Sequence, residues 1–420
     1  MAVYPVIHWL KLIVLQHWTK MVTRRTLLKN LASLPLVGGL FSTGLLAASP
    51  VPSQGIRRDY FKELGVRTFI NAAGTYTFMT GSLMHPEVID AYNYATNDYV
   101  LLDDLQDKVG ARIAELLHCE AATITSGAAS AITLGTAGVL AGMDQERVVQ
   151  IPDLTGMKSE VIMQKSHVIG YAHAIRNCGV KIVEVETRKE LEKAISEKTA
   201  MMWFFNGNNF VGEIQDDEFV EIAKKHGIPT FNDCAADVPP VENLWKYTDM
   251  GFDMVAFSGG KGLRGPQSGG LLLGKKKYID AARLHAPPRG NTVGRGMKVN
   301  KEEVLGMLVT VESYLNRDHE ADWALWEYQI QMIHDAVADI EGVNPEIHIP
   351  KVANHVPSLR ISMDPDKTEW TPDQVREKLR EGHPSIETVG GRGSIGITTW
   401  MMQAGQERIV ASRLRQILLS

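Results

Sequence analysis

Cysteine is scarce in this chain. Its three residues, Cys119, Cys178 and Cys234, are far apart and form no CxxC pair. That argues against a zinc ribbon and a disulfide framework, leaves no metal site to expect, and makes buried or free thiols the expectation, with one disulfide the alternative in an exported protein. An excess of positive charge is missing too. Lys and Arg total 44 against 49 Asp and Glu, a formal net charge of −5, so there is no electrostatic basis for binding nucleic acid. Internal repeats and low-complexity segments are absent, which excludes solenoids and collagen-like or disordered chains. What remains is a globular composition: 420 residues, 44% hydrophobic and 22% charged. The length predicts two or three domains, and 37 glycines with 18 prolines suit an α/β protein with many tight turns.

Residues 1–50 read as a leader. Thr23-Arg24-Arg25-Thr26-Leu27-Leu28-Lys29 precedes an apolar stretch from Leu31 to Ala48, closing on Ala47-Ala48-Ser49. This is the pattern of a secretory signal, and the paired arginines resemble a twin-arginine export signal. The expectation is an exported, periplasmic protein. The alternative is a membrane anchor, since about 18 apolar residues can span a bilayer. The apolar patch from Val6 to Trp18 suggests Met21 as a second candidate start.

Beyond an expected N-terminal arm at 51–85, apolar runs of strand length alternate with helical patterns. Strands are predicted at 121–125, 148–151, 180–185, 201–206, 228–232, 253–257 and 270–273. Helices are predicted at 86–97, 103–117, 126–140, 168–178, 190–197 and 217–225. Such alternation predicts βαβ units and a mostly parallel sheet buried on both faces. The pattern changes near residue 300. One long helix over 301–340, a strand at 356–361, a helix at 371–380 and a last helix from 407 predict a smaller α+β domain. The expected division is a large domain at 86–300, with a linking helix and small domain at 301–420.

Four segments carry chemistry. Phe257-Ser258-Gly259-Gly260-Lys261-Gly262-Leu263-Arg264-Gly265-Pro266-Gln267-Ser268-Gly269-Gly270 places a lysine in a glycine-rich loop between two apolar strands. Glycines let backbone approach a ligand closely. A desolvated lysine there can form a Schiff base with an aldehyde, and Ser258 can hydrogen-bond a phosphate. In Phe231-Asn232-Asp233-Cys234-Ala235-Ala236-Asp237, Asp233 ends an apolar strand, where open α/β sheets place ligand groups. It is suited to keep a pyridinium nitrogen protonated. Thr125-Ser126-Gly127-Ala128-Ala129-Ser130 opens a helix whose free N–H groups can hold a phosphate. In His167-Val168-Ile169-Gly170-Tyr171-Ala172-His173 an imidazole, His167 before His173, can stack on a flat ring. Taken singly, each segment also fits an ordinary turn, helix cap or core histidine.

In this order the segments resemble the fold-type I pyridoxal-phosphate (PLP) enzymes, of aspartate aminotransferase-like fold. Within that class the chain is similar to the branch of bacterial selenocysteine synthase (L-seryl-tRNA(Sec) selenium transferase) and D-glucosaminate-6-phosphate ammonia-lyase. The resemblance rests on Ile70-Asn71-Ala72-Ala73-Gly74-Thr75, on the lysine loop with its Gly-Pro-Gln, and on Gly294-Arg295-Gly296-Met297-Lys298-Val299 before Lys301-Glu302-Glu303. It covers roughly residues 57–420. It implies PLP bonded to Lys261, Asp233 at the ring nitrogen, and Ser126, Gly127, Ala128 and Ser258 at the phosphate. It also places His167 at the ring-stacking position, with Ala235 behind the ring. The chain lacks the extra N-terminal RNA-binding region of a selenocysteine synthase, so action on tRNA is not expected.

A PLP enzyme needs a cation for the substrate carboxylate, and arginine offers a bidentate fork. Arg289, Arg295, Arg360 and Arg392 are the candidates. The first two lie in a loop that, in fold-type I dimers, reaches the neighbouring subunit, so a homodimer or higher homo-oligomer is expected. The expected activity is a lyase (α,β-elimination) or β-replacement reaction on an amino acid or amino sugar acid. A racemase or aminotransferase is the alternative. A non-catalytic PLP- or ligand-binding protein is the alternative of another class.

Overall fold

The computed structural model describes residues 58–391 and 393–420. The expected leader and export signal lie outside them, as does Arg392. Among the described residues, no helix is long and apolar enough to cross a membrane.

The strands are β1 (Phe69–Asn71), β2 (Ala121–Thr125), β3 (Glu160–Gln164), β4 (Lys181–Val185), β5 (Thr199–Phe205), β6 (Thr230–Asp233), β7 (Met254–Ser258), β8 (Gly270–Gly274), β9 (Val343–His348), β10 (Ser358–Met363), β11 (Ser385–Glu387) and β12 (Ser394–Thr398). Seven form the central sheet in the order β2-β8-β7-β6-β5-β3-β4. Only β8 runs against its neighbours; the other pairings are parallel.

The two faces of the sheet follow from side-chain alternation. Along β5, Met202 and Phe204 enter one core, while Met201 and Trp203 enter the other. The first core is closed by the helices Leu102–Leu116, Asp216–His226 and Lys301–Leu315 through Ile113, Phe219 and Met307. The second is closed by Gly127–Ala141 and Lys276–His285. These two helices touch backbone to backbone: a Cβ on Gly138 would lie 2.6 Å from the Ala282 nitrogen. A third core, with Leu359, Ile397 and Val410, lies beneath the antiparallel sheet β12-β10-β9. Strand β1 pairs in parallel with β11 against the same core, so the segment expected as an arm contributes a strand to the C-terminal half.

Three sequence expectations differ from the structure. Residues 148–151 end a short helix, Gln145–Gln150, and the strand comes later as β3. Segment 168–178 holds only a 3-10 turn, Gly170–Ala172, and a short α-helix, His173–Arg176; β-branched Val168 and Ile169, then Gly170, interrupt helical continuity. The tract 301–340 is two helices, Lys301–Leu315 and His319–Asp335. Asp318 starts the second by accepting the Ala321 N–H at 2.9 Å, an N-cap inside an otherwise helical pattern.

Candidate active site

Neighbouring parallel strands bring the chemistry together at their carboxyl ends. Asp233 ends β6 and Ser258 ends β7. The loop leaving β7 carries Lys261 and returns as β8. It folds on itself: Gly259 N–H donates to the Gly269 carbonyl at 2.8 Å, and Gly265 N–H to Gly259 at 2.8 Å. Gly262 must be glycine, because a Cβ there would meet the Val238 carbonyl oxygen at 2.0 Å. That close approach holds Lys261 against the strand ends.

A cleft of about 670 Å³ opens over this arrangement. Ser126, Gly127, Ala128, Asp233, Ala235, Ser258 and Lys261 all line it. The Gly127–Ala141 helix starts at its wall. Ser126 occupies the N-cap but makes no side-chain cap bond, so the first helical N–H groups stay available for an anion.

Burial sets the charges. It pushes the Lys261 ammonium down, against the opposing pull of Asp233 and Asp237. It raises the Asp233 carboxyl to about 6, with the Ala235 N–H, at 3.1 Å, and Lys261 working the other way. Lys261 Nζ has no hydrogen-bond partner among the described residues. A half-buried amine of lowered proton affinity, a buried carboxyl and an uncapped helix N-terminus are the donor set that an aldehyde, a pyridinium nitrogen and a phosphate require, so the residues present fit PLP.

Other candidates stand elsewhere. His167 does not line the cleft. Its ring lies edge-on to Phe204 with centroids 4.4 Å apart, its Nδ1 accepts the Phe205 N–H at 3.2 Å, and burial lowers its pKa to about 4. It is a neutral core histidine tying the turn after β3 to the end of β5. The aromatic side chains that reach the cleft from these elements are Tyr171 and Phe205. Arg289 pairs with Asp103 at 3.1 Å. Arg360 pairs with Glu346 at 3.5 Å and lines a different surface recess with Arg376 and Arg380. Arg295 is exposed. None of these three arginines lines the cleft.

Sequence reasoning missed two carboxylates. Asp237, four residues after Asp233, is buried and raised to about 6 by that burial. It accepts from Asn206 Nδ2 at 2.7 Å and from the Ala353 N–H at 3.1 Å, tying the segment before β10 to the end of β6. Its signal was visible as the second acid of Asn-Asp-Cys-Ala-Ala-Asp. Glu303 lines the cleft and takes the Asn300 N–H at 3.0 Å in a capping box; Lys301-Glu302-Glu303 entered the family resemblance, but as a helix start with no role assigned to Glu303.

A seven-stranded sheet with one reversed strand, and a lysine loop facing a buried aspartate across the strand ends, define the fold-type I class of PLP-dependent enzymes. Solved structures carry the same fold. One described as D-glucosaminate-6-phosphate ammonia-lyase superposes with a TM-score of 0.75 at 28% identity, covering 86% of this chain and 99% of that one. A Sphingomonas wittichii serine palmitoyltransferase shares the fold at a TM-score of 0.54 and 15% identity, over 84% of this chain and 87% of that one.

The chain belongs to the L-seryl-tRNA selenium transferase family, whose model matches residues 69–342. Among its relatives, the D-glucosaminate-6-phosphate ammonia lyase of Salmonella typhimurium is 30% identical over 86% of this chain and 98% of its own length. A 5'-C-glycyluridine monooxygenase-decarboxylase from Streptomyces is 26% identical over 86% of this chain and 92% of its own. The L-seryl-tRNA(Sec) selenium transferase of Caldanaerobacter subterraneus is 27% identical, with 58% of this chain matching 57% of that one.

Proposed function

We propose that this PLP-dependent enzyme is a lyase that eliminates a β-substituent from a small 2-amino acid or amino sugar acid, and that tRNA is not its substrate. One observation carries the reading: half-buried Lys261 and buried Asp233 line one cleft with an uncapped helix N-terminus. The ammonia lyase aligned along nearly its whole length supports elimination. The net charge of −5 supports a small-molecule substrate.

When bound, PLP supplies an aldehyde that captures the substrate amine and a ring that takes up electron density from the α-carbon. Lys261 would hold the aldehyde carbon at rest. Displaced by substrate, its Nζ is a base, because burial has lowered its affinity for a proton, and it would take the α-proton. Asp233 would keep a proton on the ring nitrogen. Ser126, Gly127, Ala128 and Ser258 would bind the phosphate. Tyr171 and Phe205 would bound the ring and exclude water.

The test is a panel of 2-amino acids and amino sugar acids, including D-glucosaminate and its 6-phosphate, given to the PLP-loaded protein. Ammonia and a 2-keto acid in equal amounts, without an added amino acceptor, support the lyase. An inverted enantiomer without ammonia replaces it with a racemase, and dependence on a keto-acid acceptor with an aminotransferase. A protein still colourless after incubation with PLP would point to a non-catalytic binder.

A further inference from the structure

A second cavity, of about 640 Å³, takes Gly262 and Arg264 of the lysine loop into its lining. Its charged groups are unevenly matched. Arg317 pairs with Asp322 at 2.7 Å and contacts His85. Arg408 lies 3.7 Å from Glu407. Arg264 has no carboxylate partner among the described residues: its Nε donates to the Leu83 carbonyl at 3.0 Å, and its two Nη groups make no hydrogen bond. His85, beside both Arg264 and Arg317, is lowered to about 4 chiefly by burial and then by these two cations, so it stays neutral and adds no third positive charge. The remaining lining includes Trp326 and Trp400, with ring centroids 6.3 Å apart.

Fold stability does not explain Arg264. Its backbone is left-handed at φ 56°, a conformation that disfavours a long side chain and suits Gly or Asn. A strained backbone presenting a half-buried, unpaired guanidinium to a cavity is a feature that persists at ligand sites. The Arg264 N–H also donates to the Lys261 carbonyl at 2.9 Å, so whatever the guanidinium binds is one turn from the reactive lysine.

We propose that this cavity is a second ligand site, specific for a small oxyanion, a carboxylate or a phosphate ester, which Arg264 grips through its free Nη pair while any apolar part lies against Trp326 and Trp400. Guanidinium forks match such oxyanions bidentately. The site is separate from the cofactor cleft and does not depend on which reaction that cleft performs.

The experiment compares PLP-loaded wild type with Arg264→Gly, titrated with inorganic phosphate and, separately, with acetate. Thermal unfolding and tryptophan emission are the readouts. Glycine relieves the left-handed strain, so without anion the variant should melt no lower than wild type. In wild type, millimolar anion should raise the melting temperature and alter the emission. In Arg264→Gly the apparent affinity should fall roughly tenfold or more. An unchanged response in the variant, or no response in wild type, overturns the proposal. If the protein takes up no PLP, the Arg264-dependent part of the response remains readable, because the Ser126–Ala128 cradle is the same in both proteins. D-Glucosaminate 6-phosphate then separates the sources. A higher KM of Arg264→Gly for D-glucosaminate 6-phosphate but not for D-glucosaminate makes the ligand the distal group of a substrate that reaches from one cavity to the other; inorganic phosphate that changes wild-type turnover without competing with substrate makes it a separate effector. Both outcomes require the site.

Discussion

Two carboxylates, Asp233 and Asp237, sit in the dark beneath one lysine, and both are raised to about 6 by burial. Before cofactor binds, this arrangement works against folding. An unfolded aspartate titrates near 4, so between about pH 4 and 6 the folded apoprotein holds more protons than the unfolded chain, and stability falls as pH rises. Above about 6 the full penalty applies. Asp233→Asn keeps an oxygen for the Ala235 N–H and removes the charge. The apoprotein should therefore gain on the order of 2 kcal/mol at pH 7.5 and nothing at pH 3.5, as urea midpoints at the two pH values would show. The same variant should retain most of its PLP yet lose most of its turnover, because the phosphate contacts survive and the partner of the ring nitrogen does not. Equal turnover would remove Asp233 from the chemistry. For Lys261, borohydride should fix PLP onto the wild type at this residue and not onto Lys261→Ala, read by peptide mass. Labelling at another lysine would overturn the assignment.

At the scale of elements, the Gly127–Ala141 helix shows how the site is held. It is buried nearly all round, pressed between the sheet and the Lys276–His285 helix. On propensity alone Gly138→Ala would stabilise it by about 1 kcal/mol. Here the new Cβ would lie 2.6 Å from backbone of the neighbouring helix, and overpacking costs about 1–3 kcal/mol. The net effect should be destabilising, seen as a lower urea midpoint and weaker PLP retention as the cradle shifts. Most of the central sheet was legible in the sequence because its strands are short apolar runs bounded by turns, as in parallel Met254–Ser258 and reversed Gly270–Gly274. The lysine loop and Asp233 were legible for the same reason: both sit where a strand ends. The break at Asn316-Arg317-Asp318 was not, since no glycine or proline marks it and only the Asp318 cap reveals it. Nor was the place of His167, which depends on the packing of Phe204 from a strand nearly 40 residues later. Spacing along a chain does not reveal which way a side chain turns from a short irregular segment.

At the scale of the whole molecule, export remains a proposal carried by the leader. Replacing Arg24 and Arg25 by Lys should leave a folded, yellow, uncleaved precursor in the cytoplasm; normal export would point to another route. The proposal of a dimer rests on charge. Among the described residues lining the cofactor cleft, Lys261 is the sole Lys or Arg, and PLP would occupy it at rest. A substrate carboxylate therefore needs a cation from outside this lining. Arg289 is already engaged by Asp103, whereas Arg295 is exposed, with no ion pair among the described residues. We propose that Arg295 enters the cleft of a second copy in a closed, two-fold dimer. Arg295→Ala and Lys261→Ala should each be nearly inactive alone. Mixed and allowed to exchange subunits, half the dimers are heterodimers with one intact site each, so activity should recover to about a quarter of wild type. No recovery despite verified exchange would place the carboxylate partner within the same chain.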